Sequence, residues 1–185
     1  AVSCSVRKSA EDRALNFLRS MKPFANKGAV FCLAGCTAEL FGEGALKMLP
    51  HLAVVCGPGR LFELPAAIVR AQNGERLALV GQGHTPFLPV AADRGVSVAI
   101  PVTIGCGNFC AYCAVPFARG PLVSRPKEDV LAEIHYCAAQ GTREVVLLGQ
   151  NVNEYGIDRK DGYGFAQLLA DVSAVPGIVR VRFMT

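Results

Sequence analysis

The strongest constraint on the fold is an alternation of short apolar segments with helical patterns, which recurs along the chain. In the first part, residues 28–35 and Leu52 to Cys56 are apolar on every side, and a helical pattern follows each of them, over 38–49 in the first case. Segments of this kind are typical of strands buried in a parallel sheet. The alternation therefore predicts an α/β fold, with residues 1–71 forming an open parallel α/β domain.

A second α/β unit begins at residue 96. The segment before it, 72–95, is rich in glycine and proline and has no periodicity, which predicts a linker. From there the patterns predict a strand over 96–104, a loop with cysteines, a helix over 127–140, a strand, a helix over 165–174 and a last strand. Because a three-stranded parallel sheet leaves an uncovered edge, we expect 96–185 to be half of a larger domain. The first residue, an alanine, predicts that the chain is part of a longer protein.

Composition excludes several classes of protein. Hydrophobic residues make up 51% of the chain and charged residues 18%, which excludes a disordered chain. A net charge of +4 is too small for a strongly basic nucleic-acid module. No apolar run reaches the roughly 18 residues of a membrane span, and charges interrupt the opening stretch where a secretory signal would lie. We therefore expect a cytoplasmic globular protein.

The eight cysteines are the strongest functional signal in the chain. They are Cys4, Cys32, Cys36, Cys56, Cys106, Cys110, Cys113 and Cys137. A disulfide framework belongs to short secreted proteins, whereas three of these cysteines lie within the segment 106–113, directly after a predicted strand. Metal or redox chemistry is the better interpretation.

The spacing of Cys106, Cys110 and Cys113 is C-x3-C-x2-C. Three thiolates on one short loop can bind three irons of a [4Fe–4S] cluster and leave the fourth iron open to a small molecule. Phe109 and Tyr112 could shield such a cluster from water. Two alternatives remain, a zinc site and cysteines that bind no metal. A structural zinc usually takes its four ligands as two separated pairs, and no fitting second pair follows.

The flanks of these cysteines resemble a known family. The spacing is similar to that of radical S-adenosylmethionine (radical SAM) enzymes, and the longer motifs are similar to the methylthiotransferases among them. The form Leu-Leu-Gly-Gln-Asn-Val-Asn at 147–153 resembles the branch that acts on N6-isopentenyladenosine in tRNA. The motifs are Gly105 to Gly120, Val123 to Pro126, Glu144 to Gly156, Cys4 to Arg7, and Gly35-Cys36.

The resemblance implies a fold and an activity. It implies that residues 96–185 are the first half of a radical SAM partial (β/α) barrel, and that 1–71 are a methylthiotransferase amino-terminal domain. It also implies that Cys106, Cys110 and Cys113 hold a [4Fe–4S] cluster that binds S-adenosylmethionine. In the family, cleavage of this cofactor yields a 5'-deoxyadenosyl radical, which removes hydrogen from C2 of a modified adenosine at position 37 of tRNA. tRNA and an electron-donor protein are the implied partners.

A second [4Fe–4S] cluster, the auxiliary cluster, is also implied. Cys4 and Cys36 would be two of its three ligands, and the third is expected before Cys4. Further barrel strands and a small RNA-binding domain are expected after Thr185, so we expect this chain alone to be inactive. Three other activities stay open: a sister methylthiotransferase acting on threonylcarbamoyladenosine tRNA or a ribosomal protein, a non-catalytic iron–sulfur protein, and a zinc-stabilised RNA-binding module.

Several polar residues near the cysteine loop are candidates for binding. Gln150, Asn151 and Asn153 follow the carboxyl end of a predicted strand, where α/β folds place ligands. Their amides could bind a nucleoside or S-adenosylmethionine, or they could simply form a turn. Arg119 and Arg125 could hold a phosphate or a carboxylate, or could be structural.

The remaining cysteines match no motif. Cys32, Cys56 and Cys137 are therefore predicted to pack in the core as small apolar residues.

Overall fold

The computed structural model describes residues 1–5, 7–81, 83, 87 and 95–184. Much of the predicted linker lies outside these ranges. The helices are α1 (Lys8–Ser20), α2 (Cys36–Phe41), α3 (Glu43–Met48), α4 (Leu64–Gln72), α5 (Val115–Arg119), α6 (Lys127–Ala139) and α7 (Phe165–Ser173). The strands are β1 (Phe31–Ala34), β2 (Leu52–Cys56), β3 (Leu77–Leu79), β4 (Ser97–Pro101), β5 (Thr103–Ile104), β6 (Val123–Ser124), β7 (Glu144–Leu148) and β8 (Arg180–Met184).

The chain forms two compact units. The first unit comprises residues 1–85 and 108–120, and the second comprises 86–107 and 121–185. Both are built on parallel strands. The predicted α/β class with parallel sheets is therefore confirmed, while the barrel stays a prediction.

A three-stranded parallel sheet in the order β1-β2-β3 forms the centre of the first unit. Leu33 pairs with Val55, which pairs in turn with Ala78 of β3. β3 lies within the segment that the sequence assigns to a linker. Its three residues form a strand because they complete the hydrogen bonding of β2, a long-range partner that a local pattern does not reveal.

The helical pattern predicted over 38–49 is two helices rather than one. The break falls at Gly42, whose backbone has φ +50° and ψ −136°, and which precedes the first residue of α3. The first helix also begins earlier than predicted, at Cys36, directly after Gly35 with φ +94°. Cys36 therefore stands at the start of a helix and not on the strand that carries Cys32.

A second parallel sheet, in the order β4-β7-β8, forms the centre of the second unit. Ile100, Leu147 and Phe183 lie side by side in its register. Ile100 and Leu147 are fully buried, and α6 and α7 contribute further apolar side chains to the same core. The helices predicted over 127–140 and 165–174 are confirmed to within a residue at each end. In the first of them, Pro126 and the acidic residues Glu128 and Asp129 mark the start, and Gly141 marks the end.

A short antiparallel pair, β5 with β6, carries the cysteine loop and is called the stem below. Thr103 pairs with Ser124, and Ile104 with Val123, so the loop 105–122 leaves and returns at one place. The sequence predicts one strand over 96–104, yet that strand breaks at Val102. The Val102 N–H donates to the carbonyl of Leu148 over 2.8 Å, and the Val102 carbonyl accepts from the N–H of Arg125 over 2.9 Å.

No helix among the described residues combines the length and the apolar character that a membrane span requires.

Candidate metal centres

The cysteine loop begins where the stem ends. Cys106 lies in the second unit and is half-buried, while Cys110 and Cys113 lie in the part of the loop that belongs to the first unit. The N–H of Cys113 donates to the carbonyl of Cys110 over 2.9 Å, which closes a tight turn between these two candidate ligands. All three are free thiols, and Cys110 is exposed.

Aromatic side chains flank Cys110 on both sides. Phe109 has a left-handed backbone with φ +44°, and its ring packs edge-on against that of Phe117 at 5.8 Å. Phe109 and Tyr112 are nonetheless largely exposed, at 65% and 92%. The predicted shielding role would therefore require these rings to lie over a bound group.

The two cysteines predicted for the auxiliary cluster come from neighbouring backbone segments of the first unit. Val2 forms a parallel bridge with Ala34, and Cys4 and Cys36 each lie two residues further along. The bridge consists of two main-chain hydrogen bonds, from the N–H of Ser3 to the carbonyl of Ala34 over 3.0 Å and from the N–H of Ala34 to the carbonyl of Ala1 over 2.8 Å. The two residues differ in exposure, since Cys4 is exposed and Cys36 is buried.

Gly35 makes the close approach of these two segments possible. A Cβ atom built on Gly35 would lie 2.6 Å from the carbonyl oxygen of Ser3. Its φ of +94° is also a conformation that other L-residues rarely adopt. The Gly35-Cys36 pair in the sequence is thus explained by the packing of residues 1–4 against the end of β1.

Arg119 contacts the buried member of this pair. Its Nε donates to the Sγ of Cys36 over 3.3 Å, and it is the last residue of α5, which packs against α2. A guanidinium N–H is a charge-assisted donor. The predicted binding of a phosphate or carboxylate by Arg119 stays a prediction, and the partner seen here is a thiol.

The three predicted amides differ in their surroundings. The Oε1 of Gln150 accepts from the N–H of Gly105 over 2.7 Å, directly before Cys106. Asn151 is half-buried, and Asn153 is exposed on a short 3-10 helix over Val152–Glu154. Gln150 therefore lies beside the cysteine loop, and a role for these amides in ligand binding stays a prediction.

Arg125 is buried, and its contacts support the structural alternative. Its Nη1 forms an ion pair with Oε2 of Glu133 at 2.5 Å, and its Nη2 donates to the carbonyl of Asp129 over 3.4 Å. The guanidinium carbon also lies 5.8 Å from the centre of the Phe87 ring. Binding of a phosphate or carboxylate by Arg125 stays a prediction.

Sequence reasoning missed a group of residues that bind the far side of the stem. Both the N–H and the Oγ of Ser124 donate to the carboxylate of Asp158, over 2.9 and 2.5 Å. The N–H of Gly156 donates to the Oγ of Ser124 over 2.9 Å, and the Tyr155 hydroxyl donates to the carbonyl of Arg125 over 2.7 Å. Tyr155 and Gly156 fall within a family motif, but no local pattern signals Asp158.

The cysteines predicted for the core are distinct from the candidate ligands. Cys56 and Cys137 are fully buried, and Cys32 packs against the same core cluster as Cys56. Burial raises the pKa of the Cys56 thiol to about 11 and also raises the pKa of Cys32. Since the thiolate is the metal-binding form, these environments disfavour ligation.

The donor set of the loop fits an iron–sulfur cluster, because proteins hold such clusters through cysteine thiolates and all three cysteines of the loop are free. Among the described residues, no three His, Cys, Asp or Glu side chains converge closely enough to hold a single metal ion. A cluster differs from a single ion because each thiolate binds a different iron. The fit therefore depends on donor chemistry and spacing.

Comparison with known proteins finds relatives along nearly the whole chain. Residues 100–184 match the radical SAM superfamily. Over 99% of its length, the chain is 42% identical to the tRNA-2-methylthio-N(6)-dimethylallyladenosine synthase of Geotalea uraniireducens and 40% identical to that of Carboxydothermus hydrogenoformans. The protein of the same name from Anaplasma marginale is 38% identical, again over 99% of the chain.

The chain spans less than half the length of these relatives, 43% of the first two and 42% of the third. The match includes both the radical SAM segment and the region with Cys4 and Cys36. The resemblance to the methylthiotransferases among the radical SAM enzymes, predicted from the cysteine loop and its flanking motifs, is therefore confirmed.

Proposed function

We propose that the protein containing this chain adds a methylthio group to C2 of N6-isopentenyladenosine at position 37 of tRNA. The observation that carries the proposal is the loop of three free thiols on the stem, in a chain similar along 99% of its length to synthases named for this modification. The proposed partners are tRNA and an electron-donor protein, and the proposed location is the cytoplasm.

The proposal assigns two clusters to the cysteines. Cys106, Cys110 and Cys113 hold a [4Fe–4S] cluster which, when bound, supplies the electron that cleaves S-adenosylmethionine. Cys4 and Cys36 are two ligands of the auxiliary [4Fe–4S] cluster. Their adjacent positions at the end of β1 support this second assignment, since ligands of one cluster must come from neighbouring backbone segments.

We also propose the domain division that accompanies this function. Residues 1–71 are the methylthiotransferase amino-terminal domain, 72–95 are a linker, and 96–185 are the first half of a radical SAM partial (β/α) barrel. The parallel order β4-β7-β8, with α6 and α7 in the connections, supports the last assignment, because a barrel is built from such repeating strand–helix units.

The cofactor assignment is tested by anaerobic reconstitution of the chain with iron and sulfide. We expect iron to bind and the electron paramagnetic resonance spectrum of the reduced protein to change when S-adenosylmethionine is added. The variant with Cys106, Cys110 and Cys113 all changed to serine should lose that response. The matched control is Cys32→Ala, which removes a half-buried thiol outside both sites.

Two results would contradict the cofactor assignment. One is a colourless protein that binds zinc and no iron. The other is an iron–sulfur spectrum that S-adenosylmethionine leaves unchanged, as a cluster used only for electron transfer would give.

The substrate assignment is tested in cells. The longer protein that contains this chain is expressed in a strain deleted for its own tRNA methylthiotransferase, and tRNA nucleosides are measured by mass spectrometry. We expect the methylthio form of N6-isopentenyladenosine to return. Return of the methylthio form of threonylcarbamoyladenosine, or modification of a ribosomal protein, would instead assign the chain to a sister enzyme.

A further inference from the structure

Both ends of the cysteine loop are held by one segment of the second unit, residues 149–158. On the entry side, the Oε1 of Gln150 accepts from the N–H of Gly105 over 2.7 Å, and Gly105 adopts a left-handed backbone with φ +75°. The next residue is Cys106. A hydrogen bond at this point restricts the backbone that presents the first predicted ligand.

On the exit side, the same segment binds the strand that receives the loop. Asp158 accepts from both the N–H and the Oγ of Ser124, and the Oγ of Ser124 accepts from the N–H of Gly156. Tyr155, which is 1% exposed, donates its hydroxyl to the carbonyl of Arg125. These bonds are buried or partly buried, where a lost partner is costly.

The base of the stem is also packed against the start of this segment. A Cβ atom built on Gly149 would lie 1.9 Å from the Oγ1 of Thr103. Glycine directly after β7 therefore allows the Thr103 side chain of β5 to approach the backbone closely. The main-chain bond from the Val102 N–H to the carbonyl of Leu148 lies beside it. The stem is thus joined to the end of β7 by a main-chain hydrogen bond and to Gly149 by close packing of Thr103. Side-chain hydrogen bonds join it to the residues that follow.

We propose that residues 149–158 act as a clamp for the cysteine loop, with Gln150 and Asp158 as positioning residues for its entry and exit. This role differs from the one the sequence suggests for Gln150, a ligand of a nucleoside or S-adenosylmethionine, because its carbonyl oxygen is already engaged by Gly105. The functional part of the inference rests on the proposed cluster in this loop; the hydrogen bonds themselves do not.

The first test measures amide hydrogen exchange by NMR on the full chain without metal. Gln150→Met removes the acceptor at similar size, and Gln150→Glu retains an oxygen that can accept from Gly105. We expect exchange at Gly105 to accelerate about fivefold in Gln150→Met, as loss of one hydrogen bond predicts, and to stay near the wild-type rate in Gln150→Glu. Unchanged exchange at Gly105 in Gln150→Met would overturn the entry side of the clamp.

The exit side has a matched pair of variants in one loop. Asp158→Ala removes both acceptors of Ser124, whereas Asp161→Ala removes a carboxylate that contacts Arg159 and Tyr163 instead. We expect faster exchange at Ser124 in Asp158→Ala and no change there in Asp161→Ala. Equal effects of the two variants would show general loosening of the loop and would overturn a specific role for Asp158.

The functional consequence is measured as iron retained after reconstitution and challenge with a chelator. The clamp predicts faster iron loss in Gln150→Met than in wild type, with retention restored in Gln150→Glu. Wild-type iron retention in Gln150→Met, together with weaker binding of S-adenosylmethionine, would instead make Gln150 a ligand and overturn the proposal. If the wild-type chain binds no iron, the proposed function fails, and the exchange rates alone decide whether the clamp exists.

Discussion

The two candidate sites differ in the contacts that support them. In the first unit, the backbone segments that carry Cys4 and Cys36 are held together by main-chain contacts. These are the parallel bridge of Val2 with Ala34 and the close approach of Gly35 to Ser3. The stem of the loop that contains Cys106 also has main-chain contacts, but the two ends of the loop are additionally held by the side chains of Gln150 and Asp158 in the second unit.

This difference decides how each site can be damaged. A site built from main-chain contacts is sensitive to any added atom that separates the backbones, whereas a site held by side chains is sensitive to the loss of a donor or an acceptor. The predictions below test this contrast in order of expected effect.

The largest effect is expected from the buried ion pair beside the stem. Arg125 follows β6 directly, and it and Glu133 are 5% and 7% exposed in their side chains. Glu133→Gln leaves a buried guanidinium without its countercharge, and we expect a loss of about 3 kcal/mol in the free energy of unfolding. Urea denaturation measures it.

The control for this change lies in the first unit. Glu63 pairs with Arg60 at the surface, so Glu63→Gln should leave the urea midpoint almost unchanged. Equal shifts for the two variants would contradict the dependence of the second unit on buried side-chain contacts.

The next effect concerns the main-chain site. Gly35→Ala places a Cβ atom against the carbonyl of Ser3 and forces alanine to adopt φ +94°, so we expect a loss of at least about 2 kcal/mol in stability. Because the clash displaces residues 1–4, iron bound through Cys4 and Cys36 in the longer protein that supplies the expected third ligand should fall as well. Unfolding curves and iron counting measure the two effects.

Gly44 provides the comparison for Gly35. It lies within α3, and a Cβ atom built on it meets nothing within 4 Å. Gly44→Ala should therefore leave iron content unchanged and raise stability by about 0.5–1 kcal/mol, as expected for alanine in a helix. A loss of iron in this variant would show that the loss in Gly35→Ala does not come from the clash with Ser3, and would contradict the described sensitivity of this site to main-chain separation.

The smallest effect is a difference in alkaline stability between the units. Burial raises the pKa of Cys56 from 9.0 to about 11 in the first unit, and that of Tyr155 from 10.0 to about 12 in the second. The unfolded chain therefore releases these protons at lower pH than the folded chain does. Each stabilising contribution is complete below the unfolded pKa and is lost as pH rises through the folded one.

We therefore expect stability to decline between pH 9 and 11 through Cys56, and between pH 10 and 12 through Tyr155. Cys56→Ala should flatten the first decline and Tyr155→Phe the second, as measured by urea midpoints across this range. A decline that neither variant alters would assign the alkaline sensitivity to other groups.

Much of the fold followed from local patterns. α6 and α7 were predicted because each has a clear helical start and stop, and β2 because a short apolar run lies between turns. The break at Gly42 and the strand β3 were missed, since the first depends on a single left-handed residue and the second on pairing with β2. Periodicity contains neither kind of information.

The candidate sites divide in the same way. The spacing of Cys106, Cys110 and Cys113 is local, so the sequence identifies the loop. The contact of Arg119 with Cys36 joins residues 83 apart, and no pattern within either segment predicts it. Arg125 had two open interpretations, and its burial against Glu133 supports the structural one.

By itself, the sequence determined the α/β class, most of the helices and strands and the cysteines that belong to a family motif, because these depend on neighbouring residues and their spacing. Only the tertiary structure decided which residues support the sites. Gln150 meets Gly105 across 45 positions, and Asp158 meets Ser124 across 34. Such pairs arise when folded strands bring distant parts of the backbone together. A hydrogen-bond partner so far away along the sequence produces no periodic pattern from which it could be predicted.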